Sequence, residues 1–379
     1  MKKIFLLSVS AAIVVSAMAQ LDAKIIPSKF FTIEKSIAAT PVKNQAMTGT
    51  CWCFSSTSMI ESQCLKKNLG ELDLSEMFTV RNIYLEKARN YVLRQGHAQF
   101  GEGGLGHDLI RAIATYGAEP ESVYSGLKPG NKMHNHGKMV GDLQKYLDSI
   151  LKVIPLPENW IAGYQKILDE GIGVPPESFD YKGKNYTPKS FGSEVLKFNS
   201  NDYVNITSFT HHPYYTPFIL EVPDNFSNGS YYNLPLNEMI QLVENALKGG
   251  YSVLWDADVS NEGFMQSRGV AILPDPKAKI TDKAMVNAGN ATEAKWDATK
   301  RQQLFENLTT QDDHLMHITG IEKSSSGKTY FLVKNSWGDI GPDHGYINVS
   351  EAYFAINTIS LVVPKEALSK GLLEKLKIK

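Results

Sequence analysis

One short segment near the N-terminus carries the most information, QAMTGTCWCF at residues 45–54. Gly49-Thr50 gives way there to a helical pattern that begins at Cys51. The first turn of a helix presents unpaired N–H groups and the positive end of the helix dipole, so we expect the thiol to shift toward thiolate. The Gln45 side chain and the Cys51 N–H could together bind an oxyanion. The alternative is a buried, inert cysteine, which is common in protein cores.

Two downstream motifs supply the partners that a nucleophilic cysteine needs. His314 comes first, followed by the segment NSWG at residues 335–338. An imidazole can hold and later deliver the proton, and the Asn335 amide can orient the ring. Trp337 can shield that hydrogen bond from water. A cysteine, a histidine and an asparagine in this order predict acyl transfer through a thioester.

Other histidines compete for the role of base. His317 follows His314 by three residues on one predicted strand, so the two side chains point to opposite faces. We interpret His314, at the mouth of the strand, as the base and keep His317 as the alternative. The remaining histidines are expected in exposed turns or without a suitable partner: His97, His107, His134, His136, His211, His212 and His344. Because none shows a ligand spacing such as H-E-x-x-H, no metal site is predicted.

The sequence Glu102-Gly103-Gly104 offers a backbone without Cβ atoms that a peptide can approach closely. An extended substrate could pair with this segment as an added strand. Gly103 and Gly104 are therefore candidate substrate-binding residues, although a plain turn explains the two glycines equally well.

Length, composition and net charge limit the classes of protein to which the chain can belong. The chain has 379 residues, 42% of them hydrophobic, and a formal net charge of -1. This is typical of a soluble globular protein large enough for one elaborated domain or two modest ones. A net charge near zero argues against nucleic acid or an anionic membrane as the main partner. Since no internal repeat is visible, we expect one intertwined fold.

The first nineteen residues differ from the rest. Lys2-Lys3 precede an apolar run at residues 4–15, and Ala17-Met18-Ala19 ends it in an A-x-A pattern. This predicts a signal peptide at residues 1–19, cleaved after Ala19, and a periplasmic or secreted protein without membrane attachment after cleavage. A membrane anchor or a buried N-terminal helix is the alternative, but the apolar run is shorter than the roughly 20 residues of a membrane span.

The three cysteines, Cys51, Cys53 and Cys64, all fall within one predicted helix. At 1.5 Å per residue, Cys53 and Cys64 would be roughly 16 Å apart. A disulfide requires Cα atoms within about 7 Å. We therefore expect no intramolecular disulfide, and at least one thiol retained for chemistry.

The pattern of apolar residues changes along the chain. The first half predicts helices at residues 51–67, 75–93, 105–116, 142–153 and 160–168. The second half predicts strands at residues 203–209, 253–259, 315–322, 329–334, 345–349 and 358–363, with helices at 237–247 and 300–307. Residues 276–308 are charged and irregular. A helical lobe followed by a strand-rich lobe indicates an α+β fold with the active site in the cleft between them.

Several of these motifs resemble those of a known protein family. The segment at residues 45–54 resembles the nucleophile region of papain-like cysteine peptidases, and the segment at residues 335–338 resembles their asparagine motif. More closely, the chain resembles the branch of bleomycin hydrolase and aminopeptidase C. The supporting segments are EGG at 102–104, VPPESF at 174–179, GGYSVLWDADV at 249–259 and DHLM at 313–316, and together they cover most of residues 30–365.

The resemblance implies a two-lobed papain-like fold, with a helical lobe and an antiparallel β-barrel-like lobe, in a peptidase domain at residues 20–379. It implies a helical insertion at about residues 126–200 and a C-terminal arm at about 364–379. It assigns Gln45 as oxyanion donor, Cys51 as nucleophile, His314 as base and Asn335 as orienting residue. Gly103, Gly104 and Trp337 would bind substrate, and neither a metal nor another cofactor is implied.

For function, the resemblance implies peptide substrates and an aminopeptidase. In such relatives the C-terminal arm reaches into the cleft, limits cleavage to peptide N-termini, and often accompanies a homo-hexamer. This chain departs from them in its predicted export and in its basic, helical tail at residues 372–379. The alternatives are an endopeptidase with an open cleft, an amide hydrolase or acyltransferase on non-peptide amides, and a non-catalytic binding protein on the same scaffold.

Overall fold

The computed structural model describes residues 30–277, 286, 287 and 289–379. The expected signal peptide at residues 1–19 lies outside the described residues, as does part of the irregular stretch at 276–308. Of the described helices, none is long and apolar enough to cross a membrane.

Helices dominate the first half of the chain and flank the sheet in the second. Gly117 and Gly173, both at positive φ, follow the ends of the third and fifth helices, a conformation that glycine adopts without the strain of a Cβ. The helices are α1 Cys51–Lys66, α2 Glu76–Leu93, α3 Gly106–Tyr116, α4 Gly137–Ile150, α5 Trp160–Ile172, α6 Pro188–Glu194, α7 Leu236–Lys248, α8 Ala298–Glu306, α9 Glu351–Asn357 and α10 Lys370–Leu376.

Eleven strands form one large sheet in the order β5-β6-β4-β13-β7-β10-β11-β12-β9-β8, with β1 paired to β10 beside this path. The remaining two strands, β2 and β3, form a separate hairpin. The strands are β1 Phe31–Ser36, β2 Phe179–Tyr181, β3 Lys184–Tyr186, β4 Tyr203–Thr207, β5 Pro217–Ile219, β6 Ser230–Asn233, β7 Val253–Ala257, β8 Phe264–Met265, β9 Val270–Ala271, β10 His314–Ser324, β11 Thr329–Lys334, β12 Tyr346–Ser350 and β13 Thr358–Pro364.

The α+β, two-lobed papain-like fold expected from the sequence is confirmed, with one refinement. The sheet is open rather than a closed barrel, because its described path ends at two unpaired edges, β5 and β8. It is also mixed, since β4 with β6 and β9 with β12 pair in parallel, while the other strand pairs are antiparallel.

Successive side chains of the central strands point to opposite faces of the sheet, and this divides the core into two layers. On one face Leu254, Leu315 and Val362 pack with helices α1 to α5. On the opposite face Trp255 and Met316, their neighbours along the strands, pack with helices α7 and α9, as the two-residue period of a strand requires. Helix α1 thereby lies directly on β10.

Several elements differ from expectation. Helix α4 occupies residues 137–150 instead of 142–153 and follows His136, which is buried rather than exposed and whose Nδ1 lies 3.2 Å from the Tyr84 hydroxyl. Strand β1 was not predicted from the sequence. Five of its six residues are at least partly solvent-accessible, so its sequence lacks the apolar alternation of a half-buried strand. The three cysteines are all buried, free thiols.

Candidate active site

Cys51 begins helix α1, as the sequence predicts, and its side chain is 7% exposed. No side chain caps this helix end, so the N–H groups of the first turn lack a side-chain acceptor. The helix is held on the sheet by Ser55, whose hydroxyl donates to the Leu315 carbonyl over 2.7 Å. This contact places the start of α1 beside the residue that follows His314 in strand β10.

His314 and Asn335 are joined directly. The Nε2 of His314 lies 2.7 Å from the Oδ1 of Asn335. The indole of Trp337 lies against the imidazole, with ring centroids 4.6 Å apart and an angle of 31° between the planes. Since both His314 and Asn335 are buried, this hydrogen bond is shielded from water. Nε2 carries the hydrogen, which leaves Nδ1 as the basic nitrogen.

Gln266, which sequence reasoning did not single out, fixes the orientation of the Asn335 amide. Its Nε2 donates to the Tyr346 carbonyl over 3.1 Å, so its Oε1 is the atom that accepts from Asn335 Nδ2 over 3.0 Å. The Asn335 oxygen must then face His314. A polar residue at the start of the short 3-10 helix Gln266–Arg268 gives no sequence signal for such a role, because the contact spans distant parts of the chain.

Gln45 is held between the first and last motifs. Its Oε1 accepts from the Ser336 hydroxyl over 2.6 Å, and its backbone N–H donates to the Ser336 carbonyl over 2.8 Å. Its Nε2 donates to the Thr48 carbonyl over 2.7 Å. A primary amide has two N–H groups, so one remains for an oxyanion.

The Gly-rich segment lies beside the start of α1. Glu102 accepts a 2.7 Å hydrogen bond from the Gly49 N–H through its carboxylate and a 2.9 Å bond from the Trp52 indole through its carbonyl. At Gly104 an added Cβ would lie 3.1 Å from the Trp52 ring. The close packing explains the glycine at this position and brings Gly103 and Gly104 to the Cys51 segment.

Burial dominates the electrostatics of the two reactive groups. It raises the pKa of the Cys51 thiol to about 12, opposed by the backbone of Leu315. It lowers the pKa of His314 to about 4, opposed by the hydrogen bond to Asn335. The expected shift of the isolated thiol toward thiolate is therefore wrong, because the loss of hydration outweighs the hydrogen bond from the Leu315 backbone. In the described chain no hydrogen bond joins the Cys51 thiol to His314.

His317 lies on the other side of β10 from His314 and is fully buried. Lys334 Nζ donates to the Ser58 hydroxyl over 2.7 Å, and this hydroxyl in turn lies 2.9 Å from His317 Nδ1. Burial, followed by the nearby charge of Lys334, holds the pKa of His317 well below its usual value. This ring is a structural acceptor beneath helix α1.

Three carboxylates were also missed. Asp224, Asp256 and Asp312 all act on Cys51, since their negative charges add to the burial that raises the pKa of the thiol. Asp224 lies in the loop between β5 and β6, Asp256 on β7, and Asp312 just before β10. Nothing in the local sequence brings these three positions together, although Asp312 stands next to the His314 motif.

One cluster of possible metal ligands occurs among the described residues, formed by His211, His212 and Glu221. The Gln302 amide nitrogen donates to His211 Nδ1 over 2.9 Å, because the Gln302 oxygen already accepts from the Thr210 N–H. The neutral His211 ring then carries its hydrogen on Nε2, which lies 3.3 Å from Glu221. That nitrogen donates a hydrogen bond and offers no lone pair to a metal.

Comparison with known proteins places this arrangement in a family. The Peptidase C1-like family matches residues 130–379, which is more than half of the chain, and the papain family of cysteine proteases matches residues 26–81. Aminopeptidase C of Streptococcus thermophilus is 24% identical over 89% of this chain and 83% of its own length. Aminopeptidase W of Lactobacillus delbrueckii subsp. lactis is 22% identical over 92% of this chain and 86% of its own length.

The fold agrees with these matches. The crystal structure of PepW from Lactobacillus rhamnosis superposes with a TM-score of 0.73 at 21% sequence identity, over 91% of this chain and 84% of that one. The chain belongs to the Peptidase C1-like family, in the papain-like branch of aminopeptidase C and bleomycin hydrolase, and is a cysteine peptidase.

Proposed function

We propose that this protein is an aminopeptidase that hydrolyses the first peptide bond of its substrate through a thioester on Cys51. The observation that carries the proposal is the 2.7 Å hydrogen bond between His314 and Asn335 under Trp337. It leaves a single basic nitrogen, on the strand against which the Cys51 helix packs. The aminopeptidases among the relatives support the exopeptidase part.

In the first half of the reaction, the Cys51 proton passes to His314 Nδ1 and the sulfur attacks the substrate carbonyl carbon. Each group resists ionising alone, because burial raises the pKa of the thiol and lowers the pKa of the imidazole. Transfer between them creates an ion pair, whose attraction in a site of low dielectric offsets the loss of hydration. The Cys51 N–H and the free N–H of Gln45 bind the oxyanion.

In the second half, the tetrahedral intermediate collapses and the C–N bond breaks. His314 gives its proton to the leaving amine, and the acyl group remains on sulfur as a thioester. Water then attacks the thioester carbonyl while His314 takes its proton and returns one to the sulfur. The products are a free amino acid and a peptide shorter by one residue.

The test uses the protein from Gln20 to Lys379 and two peptides that differ only in a free or acetylated N-terminus. Mass spectrometry follows the products. Stepwise loss of residues from the free peptide alone supports an aminopeptidase, whereas internal cuts in both peptides support an endopeptidase with an open cleft. Turnover of non-peptide amides with both peptides intact would move the assignment to an amide hydrolase or acyltransferase.

Export and self-association belong to the proposal as well. Export rests on the signal-peptide pattern ending at Ala19. N-terminal sequencing of the protein isolated from its natural host should then begin at Gln20, and retention of Met1 in the mature protein would contradict it. Light scattering of the purified chain tests the homo-oligomer that the family resemblance implies.

A further inference from the structure

Three carboxylates meet beside Cys51 without a role in the hydrogen-bonded machinery. The side chains of Asp256 and Asp312 interact with each other, and the Asp312 carboxylate meets the backbone of Asp224. Asp224 acts on the thiol more strongly than the other two. Asp256 lies opposite Leu315 in the pairing of β7 with β10, and Asp224 lies against Gly103, which places the cluster beside the Cys51 segment.

Two of these carboxylates have unused oxygens in the interior. Asp256 is only 1% exposed, yet its Oδ1 has no hydrogen-bond partner, and the buried Oδ2 of Asp312 has none either. Within the described residues, no ion pair involves any of the three carboxylates. A buried acid without a partner is costly unless it is protonated or matched by a positive charge. Lys87 attracts Asp224 and Asp312, but its Nζ donates to the carbonyls of Gly101 and Gly103 rather than to a carboxylate of the cluster. The cluster thus keeps carboxylate oxygens that can accept hydrogen bonds from a second cation.

Asp224 lies where an extended substrate would run. A Cβ placed on Gly103 would be 1.9 Å from Asp224 Oδ2, so the carboxylate lies directly against the Gly103 backbone. Its Oδ1 accepts from Gln99 over 2.8 Å, while Oδ2 has no hydrogen bond to any described residue. A peptide paired with this segment would therefore meet the Asp224 carboxylate at Gly103.

The loop that carries Asp224 is braced internally. The Asn225 amide nitrogen donates to the carbonyls of Leu220 and Gly229, and its oxygen accepts from the Gly229 N–H over 2.7 Å. Ser227 donates to Asp108 at the start of helix α3 over 2.8 Å. Asp224 is therefore held in place before any ligand arrives, as a binding residue needs to be.

The C-terminal segment contributes nothing to this part of the cleft. Helix α10 packs on α7, where Lys375 pairs with Glu238 at 3.1 Å and Leu376 joins the core on the face of the sheet opposite α1. Among the residues that the structure describes, a group that distinguishes a free peptide N-terminus is then expected in the cleft itself.

We propose that Asp224, with Asp312 and Asp256 behind it, binds the α-ammonium group of the substrate and limits cleavage to the first peptide bond. This inference rests on the proposed function. An ammonium carries three N–H donors and a positive charge, and so matches unused carboxylate oxygens by charge-assisted hydrogen bonds. An acetylated N-terminus brings no charge and places its acetyl group against Asp224 and Gly103.

Substrate binding then also activates the nucleophile. The negative charge of the cluster, to which Asp224 contributes most, raises the pKa of the Cys51 thiol, and a bound ammonium compensates it. Replacing Asp224 by a neutral isostere should consequently have two effects of opposite sign, namely weaker use of free peptides and a more reactive thiol.

The deciding experiment compares the mature full-length protein with its Asp224→Asn variant on the free and acetylated peptides. We expect kcat/KM for the free peptide to fall roughly 10- to 100-fold, the range of one lost charge-assisted contact, with no fall for the acetylated peptide. Alkylation of Cys51 by iodoacetamide at pH 7 should become faster. Asp224→Glu, which keeps the charge, should retain part of the preference for the free peptide.

Asp313→Asn is the matched control, because Asp313 is exposed, neighbours the cluster in sequence and undergoes the same change. It should leave the ratio of kcat/KM values for free and acetylated peptide unaltered. This inference alone would be overturned if the wild type prefers the free peptide and Asp224→Asn has the same ratio of kcat/KM values for free and acetylated peptide. It would also be overturned if Asp224→Asn loses turnover and its Cys51 is alkylated more slowly. A wild type that cleaves neither peptide would overturn the proposed function and this inference with it.

Discussion

Gln266 accepts a 3.0 Å hydrogen bond from the amide nitrogen of Asn335, and this contact, together with the Ser336 N–H that donates to the Asn335 oxygen over 2.7 Å, fixes which atom of Asn335 faces His314. The chain of bonds runs from the Tyr346 carbonyl through Gln266 and Asn335 to His314. Each amide in it has one orientation in which every donor meets an acceptor. The basic nitrogen of His314 is therefore set by a chain of contacts that begins three residues away, at the Tyr346 carbonyl.

Gln266→Leu should lower kcat without a matching change in KM. The variant roughly keeps the volume of the side chain but removes the acceptor of the Asn335 nitrogen, so that only the Ser336 N–H, which donates to the Asn335 oxygen over 2.7 Å, still opposes rotation of the amide. Rotated molecules present the Asn335 nitrogen to His314 and disfavour the productive tautomer. One orienting hydrogen bond of about 1 kcal/mol corresponds to a loss of roughly 5- to 10-fold in kcat. Steady-state kinetics on the free peptide measure this, and a change confined to KM would contradict the positioning role.

Cys51→Ala should abolish turnover, by roughly 10⁴-fold or more, and leave the circular dichroism spectrum unchanged. Cys53→Ala is the control, because Cys53 is also a buried thiol of helix α1 but its Sγ points to the Glu76 carbonyl at 3.3 Å. It should lose some stability and keep its activity. Full turnover by Cys51→Ala would eliminate the thioester mechanism.

Substitutions of the two histidines of strand β10 should have clearly different effects. His314→Ala removes the base and should cost at least about 10²-fold in kcat, at the lower end of general acid–base contributions. His317→Ala instead leaves Ser58 without its acceptor and should reduce the free energy of unfolding by roughly 1–3 kcal/mol, with kcat nearly intact. Urea unfolding and peptide kinetics on both variants check this, and the reverse ranking would assign the base to His317.

Local sequence predicted those parts of the site that depend on local structure. Helix α1 begins at Cys51 and strand β11 spans residues 329–334 as expected, because apolar periodicity and short motifs determine both. The two-residue period of a strand indicated that only one of His314 and His317 faces the cleft, and the position of His314 at the mouth of the strand favoured it as the base. The structure places His314 against Asn335 and His317 against Ser58.

Contacts between distant segments could not be predicted in this way. Asp224 reaches Gly103 because the loop between β5 and β6 folds onto helix α3, and no pattern in either segment indicates the other. The direction of the Cys51 pKa shift was predicted wrongly for the same reason. The start of a helix can be predicted from sequence, whereas the degree of burial, which raises the pKa of this thiol, depends on the packing of both lobes.

Glu119 should make the protein less stable as the pH rises. Its side chain is fully buried, neither carboxylate oxygen has a partner, and burial raises its pKa from 4.5 to about 7. A group with a raised folded-state pKa contributes its full stability below about pH 4.5 and loses that contribution as the pH passes 7. The shift corresponds to about 3 kcal/mol at most, and residual solvent screening reduces the expected effect to roughly 1–3 kcal/mol.

Glu119→Gln should therefore raise the free energy of unfolding at pH 8 by that amount and change it little at pH 4. Other buried carboxyl groups titrate in the same window, Glu61 and Glu76 among them, so the informative quantity is the difference between variant and wild type at each pH. Glu71→Gln, at an exposed position, should give a difference near zero throughout. A pH-independent difference for Glu119→Gln would show that Glu119 does not change protonation between pH 4 and pH 8.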